Sequence, residues 1–188
     1  MRIFNPRLCA LGFVAAALLL VSCGTTEVNF ERYSLIEDNV FDGACSHAKV
    51  TVKPFGVLND GSVVVKVSEV TLRPAKNHRW SSDLGTQLAL IFKKALCDNI
   101  KAFDDDYEYN LDLYKFYGDL NGNVTVEVRL NVTRSDGTLV NSRIFSREVD
   151  QQHDGYPALV MSLKEGWLLV CQDMAASWQE LLPSRKKS

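Results

Sequence analysis

Between Asn123 and Thr133 the valines and leucine at 124, 126, 128, 130 and 132 alternate strictly with Thr125, Glu127, Arg129, Asn131 and Thr133. This period of two predicts a strand with one buried and one wet face. Tyr109 to Tyr117 and Thr138 to Val149 flank it, joined through Asn121-Gly122 and Asp136-Gly137. Both dipeptides suit the positive dihedrals of tight hairpin turns, so the three segments read as a meander. Upstream, Arg32 to Ile36 reads as a first strand, and His47 to Phe55 as a second, with Val50 and Val52 opposite Thr51 and Lys53. Pro54 should end that pairing or lie on an edge. After the turn signal Asn59-Asp60-Gly61, the stretch from Ser62 to Pro74 is rich in Val, Thr and Leu and is interrupted at Ser68-Glu69. It predicts two short strands or one bent strand.

The period lengthens twice. From Ser81 to Ile100, Leu84, Leu88, Ile91 and Ala95 recur at helical spacing, widened by Phe92 and Leu96, with Ser81, Ser82 and Asp83 as candidate N-caps. From Pro157 to Leu181, Val160, Leu163, Trp167, Val170, Cys171, Met174, Trp178 and Leu181 repeat the pattern; Pro157 suits a first turn and Pro183 a stop. The fold class is therefore α/β with α+β character. It is one domain over residues 32–183, a mixed and mostly antiparallel sheet whose apolar face is covered by two long helices.

The N-terminus follows a different logic. Leu8 to Val21 carries no charge and is preceded by Arg2 and Arg7, the layout of an export signal. At about 14 residues the apolar run is short of the roughly 18 to 20 needed to cross a bilayer. Leu20-Val21-Ser22-Cys23 places a leucine at minus three and a small residue at minus one before a cysteine. That lipobox pattern predicts cleavage between Ser22 and Cys23 and a covalent lipid on Cys23, with residues 1–22 as signal and 23–31 as tether.

Charge and chemistry narrow the function by what they lack. The chain has a formal net charge of −2, and loss of Arg2 and Arg7 makes it more acidic, so nucleic acid is not an expected partner. Arg185-Lys186-Lys187 reads as a solvated tail at 184–188. Cys45, Cys97 and Cys171 remain for an oxidising compartment, and an odd number cannot all pair internally. Cys97 and Cys171 lie in the two helical patterns, either as small buried hydrophobes or as a bridge between packed helices. His47, His78 and His153 are scattered, the cysteine spacings match no zinc motif, and Asp104-Asp105-Asp106 lacks the alternation of a calcium loop. No nucleophile elbow, phosphate-binding glycine loop or metalloprotease motif occurs. The expectation is a protein that is not an enzyme, with no metal and no cofactor beyond the lipid on Cys23.

Four features in order carry a family resemblance: Cys23 with its short tether; Tyr33-Ser34-Leu35; Arg79-Trp80 leading into Leu84 and Leu88; and the Asp-Gly hairpin followed by Gly155-Tyr156 and a final helix. The chain resembles the PqiC (YmbA) family, the ABC-type transport auxiliary lipoproteins, from Tyr33 to about Leu181. It departs from the family in having Asp83 where members often have proline. The resemblance implies a lipoprotein of the outer membrane facing the periplasm. Its implied partners are an MCE-domain (PqiB-like) protein and, indirectly, an inner-membrane permease, in moving lipid between membranes and supporting envelope integrity. Gly24 and Thr25 stand where an inner-membrane retention signal would place aspartate. Self-association into a homo-oligomer fits the same role. Candidate contacts lie within Gly61 to Trp80, with Arg79 and Trp80, and in the Asp119-Leu120-Asn121 turn. The alternative is a lipoprotein that itself binds lipid or another apolar ligand along Trp167, Trp178 and Phe92.

Overall fold

The computed structural model describes residues 29–36, 48–99 and 106–182. Expectations for the signal with its Ser22–Cys23 cleavage site, for Cys23 and Cys45, for most of the tether, for Asp104-Asp105 and for the basic tail lie outside the described residues. The elements are β1 (Glu31–Tyr33), β2 (Lys49–Pro54), a 3-10 turn (Gly56–Asp60), β3 (Ser62–Ser68) and β4 (Thr71–Trp80). There follow α1 (Leu84–Asn99), β5 (Tyr107–Asp119), β6 (Asn123–Arg134), β7 (Leu139–Asp150), α2 (Tyr156–Ala176) and the single turn α3 (Trp178–Leu181).

All seven strands form one sheet in the order β1-β4-β3-β5-β6-β7, with β2 also paired to β5. The meander is as expected: β5–β6 and β6–β7 are long antiparallel ladders, closed by Gly122 at φ 84° and Gly137 at φ 86°. The parallel contacts are shorter. β2 pairs with the first half of β5, from Lys49 opposite Glu108 to Pro54 opposite Leu113. β3 joins the end of the same β5 edge at Val65–Gly118 and Lys66–Asp119. One bulge, at Tyr114 between the Leu113 and Lys115 pairs, resets the alternation, so Leu113 and Phe116 both face the core.

Both long helices cover one face of this sheet. Val124, Val126, Val128, Leu130 and Val132 are all buried beneath them, together with Leu88, Phe92, Leu96, Leu163, Trp167 and Met174. Asp83 caps α1 as expected, its Oδ1 accepting the Thr86 backbone N–H at 2.7 Å and the Thr86 hydroxyl at 2.8 Å. The helices are tied to each other by a polar bond inside the core: Trp167 Nε1–H donates to the Leu88 carbonyl at 3.1 Å. Burial of a tryptophan is tolerated because its one donor is satisfied.

The structure revises the sequence expectations in four places. β4 runs on past Pro74 to Trp80, with irregular register against β3 between Ser62 and Val64, because β1 pairs with Glu31 opposite His78 and Tyr33 opposite Trp80. β1 ends at Tyr33 rather than Ile36; the Leu35 N–H turns inward to buried Gln87 Oε1 at 2.7 Å. The final helix breaks at Ser177, after which Trp178 packs on Tyr109 with ring centroids 5.1 Å apart. The Cys97–Cys171 bridge does not form: Cys171 is a free, buried thiol, whereas Cys97 is disulfide-bonded to a cysteine outside the described residues. Cys171 is fully buried in the core, so the small-hydrophobe reading holds for it.

Candidate docking surface

The two faces and two ends of the sheet offer different chemistry. The face away from the helices is polar but self-satisfied. Lys115 pairs with Glu127 across strands at 2.9 Å and Lys49 with Glu108 at 3.2 Å. Asn131 Nδ2 donates to Asp112 Oδ2 at 2.9 Å, and the Ser142 hydroxyl to Asn131 Oδ1 at 2.7 Å. Cross-strand pairs of this kind stabilise a solvated face and leave few unmet hydrogen bonds for a partner.

One end of the sheet differs. Lys66 lies opposite Asp119 and Asn123 opposite Asp150, so the β3–β4 turn, the β5–β6 turn and the β7–α2 link are brought to the same end. Asp119 locks the middle turn. Its Oδ1 accepts the backbone N–H of Asn121 at 2.8 Å and of Asn123 at 2.9 Å, and the Asn123 amide reaches Oδ2 at 3.2 Å. Partial burial opposes ionisation of this carboxyl, but the donors of Asn123 and Asn121, with Lys66 nearby, outweigh it and hold its pKa below the usual value. The third loop is fastened to the second: the Gln151 N–H donates to the Gly122 carbonyl at 2.7 Å, while Gln151 Nε2 donates to the Gly155 carbonyl at 3.2 Å.

Rigid loops here hold apolar side chains in water. Val70 is 94% exposed and Leu120 72%. Between the turns is a groove of about 320 Å³ walled by Val65, Leu120, Tyr156 and Leu159, with His153 and Asp154 at its edge. Gly118, next to Asp119 on β5, packs against Leu159 of the groove wall, and a Cβ there would lie 2.5 Å from Leu159 Cδ1. Behind the groove Tyr156 stacks on His78, with ring centroids 3.7 Å apart and planes 18° from parallel. His78 Nδ1 in turn lies 3.1 Å from the Tyr33 hydroxyl and 3.2 Å from Glu31 Oε2. A continuous line of side chains thus links this groove to β1, the strand nearest the tether.

The expected contact residues separate. Asp119 and Asn121 belong to this end, Asp119 as the lock of its turn and Asn121 as an exposed tip. Arg79 and Trp80 do not join them, because Arg79 lies opposite Ser62 while Asp119 lies opposite Lys66, a separation of about 13 Å along β3. Trp80 is 4% exposed and packs on Phe116 at 5.9 Å, so it is a core residue. The Arg79 guanidinium is half-buried over the Phe30 ring at 5.1 Å. The tryptophan stripe is no pocket either: Phe92, Trp167 and Trp178 are all buried in the core. Val70 falls within the expected Gly61 to Trp80 contact stretch and Tyr156 within the Gly155-Tyr156 feature, but Leu159 was not singled out and the three were not expected together, since only the parallel register of β3 on β5 brings their loops to one end. Among the described residues no group of three or more His, Cys, Asp or Glu is placed to hold a metal ion, and no helix is long and apolar enough to cross a membrane.

Two solved structures share this fold. An uncharacterised protein of 23% identity superposes with a TM-score of 0.66, covering 80% of this chain and 99% of its own. A protein from Xanthomonas campestris, assigned to a domain family of unknown function, has 16% identity and a TM-score of 0.61, covering 70% of this chain and 81% of its own. At these identities the likeness establishes the fold. No curated protein matches the chain. The match that carries more than fold is to a family model, described as ABC-type transport auxiliary lipoprotein component, over residues 50–175. That span takes in β2 through nearly all of α2, including every strand of the end-of-sheet groove and both covering helices. The chain belongs to the family of ABC-type transport auxiliary lipoprotein components.

Proposed function

We propose that this protein is a non-catalytic docking component, held by a lipid on Cys23 to the periplasmic side of the outer membrane. There it engages an MCE-domain channel protein served by an inner-membrane ABC-type permease. Family membership supports an auxiliary role in transport. The observation that favours docking over other auxiliary roles is the end-of-sheet surface. The hydrogen-bonded β5–β6 turn and β7–α2 link hold Leu120 in solvent beside a groove of mixed apolar and polar lining, and Val70 is exposed on the β3–β4 turn at the same end. Keeping such groups exposed on a rigid frame is unfavourable for an isolated domain and suits a protein partner. Preordered loops also lower the entropy cost of association.

The test is recovery of the MCE-domain protein with the tagged, lipidated chain extracted from native membranes in mild detergent. Leu120→Asp combined with Val70→Asp should abolish recovery while leaving the thermal midpoint close to wild type, since both side chains are exposed. Recovery undiminished in that variant would remove this surface from the proposal. Absence of any MCE-domain protein with the wild type would remove the partner.

A further inference from the structure

The groove at the end of the sheet carries a charge pattern that specifies its occupant; the inference rests on the docking reading of this surface and adds the partner's chemistry. Asp119, Gln151, His153 and Asp154 form its polar side, and among the described residues no lysine or arginine lines it. The loops at this end hold four carboxylates, Glu69, Asp119, Asp150 and Asp154, with two cations near them, Lys66 opposite Asp119 and Arg73 opposite Val65. Both Asp119 oxygens are engaged by Asn121 and Asn123, so Asp119 acts through its field. Glu69 and Asp154 are exposed, and among the described residues their carboxylates have no hydrogen-bond or ion-pair partner. The first turn of α2 adds about half a positive charge, which still leaves this end acidic.

The rest of the mature chain cannot bring a lysine or arginine here. The tether residues Gly24 to Val28 contain one charge, Glu27. The chain runs to Arg185-Lys186-Lys187 from the other end of the sheet, where Asn141 reaches the Glu180 carbonyl. Asn141 lies opposite Val132 and Asp150 opposite Asn123, about 30 Å apart along β7, whereas the steps from Leu182 to Ser188 span at most about 21 Å. Lys101 is within about 18 Å of Asp106, at the start of β5 and about 40 Å from Asp119. Size restricts the occupant further. One turn of an α-helix fills about 500 Å³, more than the groove of about 320 Å³, so a side chain of an extended segment fits and a helix does not. We infer that the groove binds an extended basic segment of the partner protein, one aliphatic side chain entering between Leu120 and Leu159 while flanking lysines or arginines lie over Asp154 and Glu69.

The experiment uses the full lipidated chain in phosphatidylcholine nanodiscs and two end-blocked peptides with photo-leucine at the centre, one flanked by lysines and the other by glutamates. Labelled residues are located by mass spectrometry. The basic peptide should label Leu120 and the Tyr156–Leu159 stretch about tenfold more than the acidic one, because two weak surface attractions are replaced by two repulsions. Raising the salt from about 0.05 M to about 0.5 M should erase that preference. Glu69→Lys with Asp154→Lys, both at exposed positions, should invert the order. Glu69→Gln with Asp154→Asn, which introduces no repulsion, should bring the two peptides close to equal. Thermal midpoints show whether both variants remain folded. Equal labelling of the wild type by the two peptides, label spread over other surfaces, or a preference unchanged in the neutral variant would overturn the proposal. The outcome is distinguishable from that of the docking test: recovery of an MCE-domain protein can fail while the basic peptide still labels the groove, and the peptides can fail while recovery holds.

Discussion

The Tyr33 hydroxyl donates to Glu31 Oε2 at 2.5 Å beside His78. Burial, then the bond to the Glu31 carboxylate and its negative charge, push its pKa up to about 12. The folded state therefore holds the phenolic proton more tightly than the unfolded chain, whose tyrosines titrate near 10. The stabilisation is complete below pH 10 and is lost as pH rises from about 10 through 12. Stability in urea should fall more steeply over that window for wild type than for Tyr33→Phe; parallel curves would show that Tyr33 does not contribute. Cys171 supplies a second test. Burial alone raises its thiol pKa, so at pH 8 the native protein should not react with a thiol-exchange reagent. The denatured chain should expose this thiol to the reagent, and reaction of Cys171 in the native protein would show that it is not shielded as its burial indicates. At this scale the sequence was partly legible. Asp83 announced itself as a cap because capping is local, whereas the inward turn of Leu35 to Gln87 spans 52 positions and leaves no local pattern.

Where elements meet, glycines mark the tightest approaches. Gly85 sits in the first turn of α1 against β2, and a Cβ there would overlap the Val52 carbonyl oxygen, with Pro54 Cδ at 3.3 Å. Backbone cannot yield without shifting the helix off the strand. Gly118 on β5 would instead meet the tip of the Leu159 side chain, which can change rotamer. Gly85→Ala should cost about 2–3 kcal/mol and Gly118→Ala about 1 kcal/mol or less, in the range for overpacked sites. Urea midpoints at constant slope measure both, and a reversed order would mean that α1 floats on β2 more freely than its geometry indicates. The meander was readable because its period-two pattern and Asn-Gly and Asp-Gly turns are local signals. β4 was read only as far as Pro74 because its last residues, Asn77 to Trp80, have no alternation of their own. They are strand because β1 pairs there, a long-range contact that no window of the sequence contains.

For the whole molecule, the decisive feature is which end of the sheet faces which partner. Eight residue steps from Cys23 to Glu31 span at most about 27 Å when fully extended, so an anchor on Cys23 would hold β1 close to the bilayer. β1 is bound to β4 by only three register pairs and by the Glu31–Tyr33–His78 cluster, whose far side stacks on Tyr156 of the groove. The core is built from the sheet, α1 and α2 with Leu35, Leu58, Trp178 and Leu181 added at its margins, all of them separate in sequence from Cys23. Cys23→Ala should therefore remove the protein from the membrane fraction while its unfolding midpoint stays within about 0.5 kcal/mol of wild type, as for substitutions outside packed structure. Fractionation and thermal denaturation of the same preparation check both halves. A Cys23→Ala protein that stayed with the membrane would mean that another part of the chain carries the attachment. A large loss of stability would mean that the tether contributes to the fold. If both expectations hold, anchor and folded domain are separable, and the groove end can be varied in situ without disturbing how the protein is held.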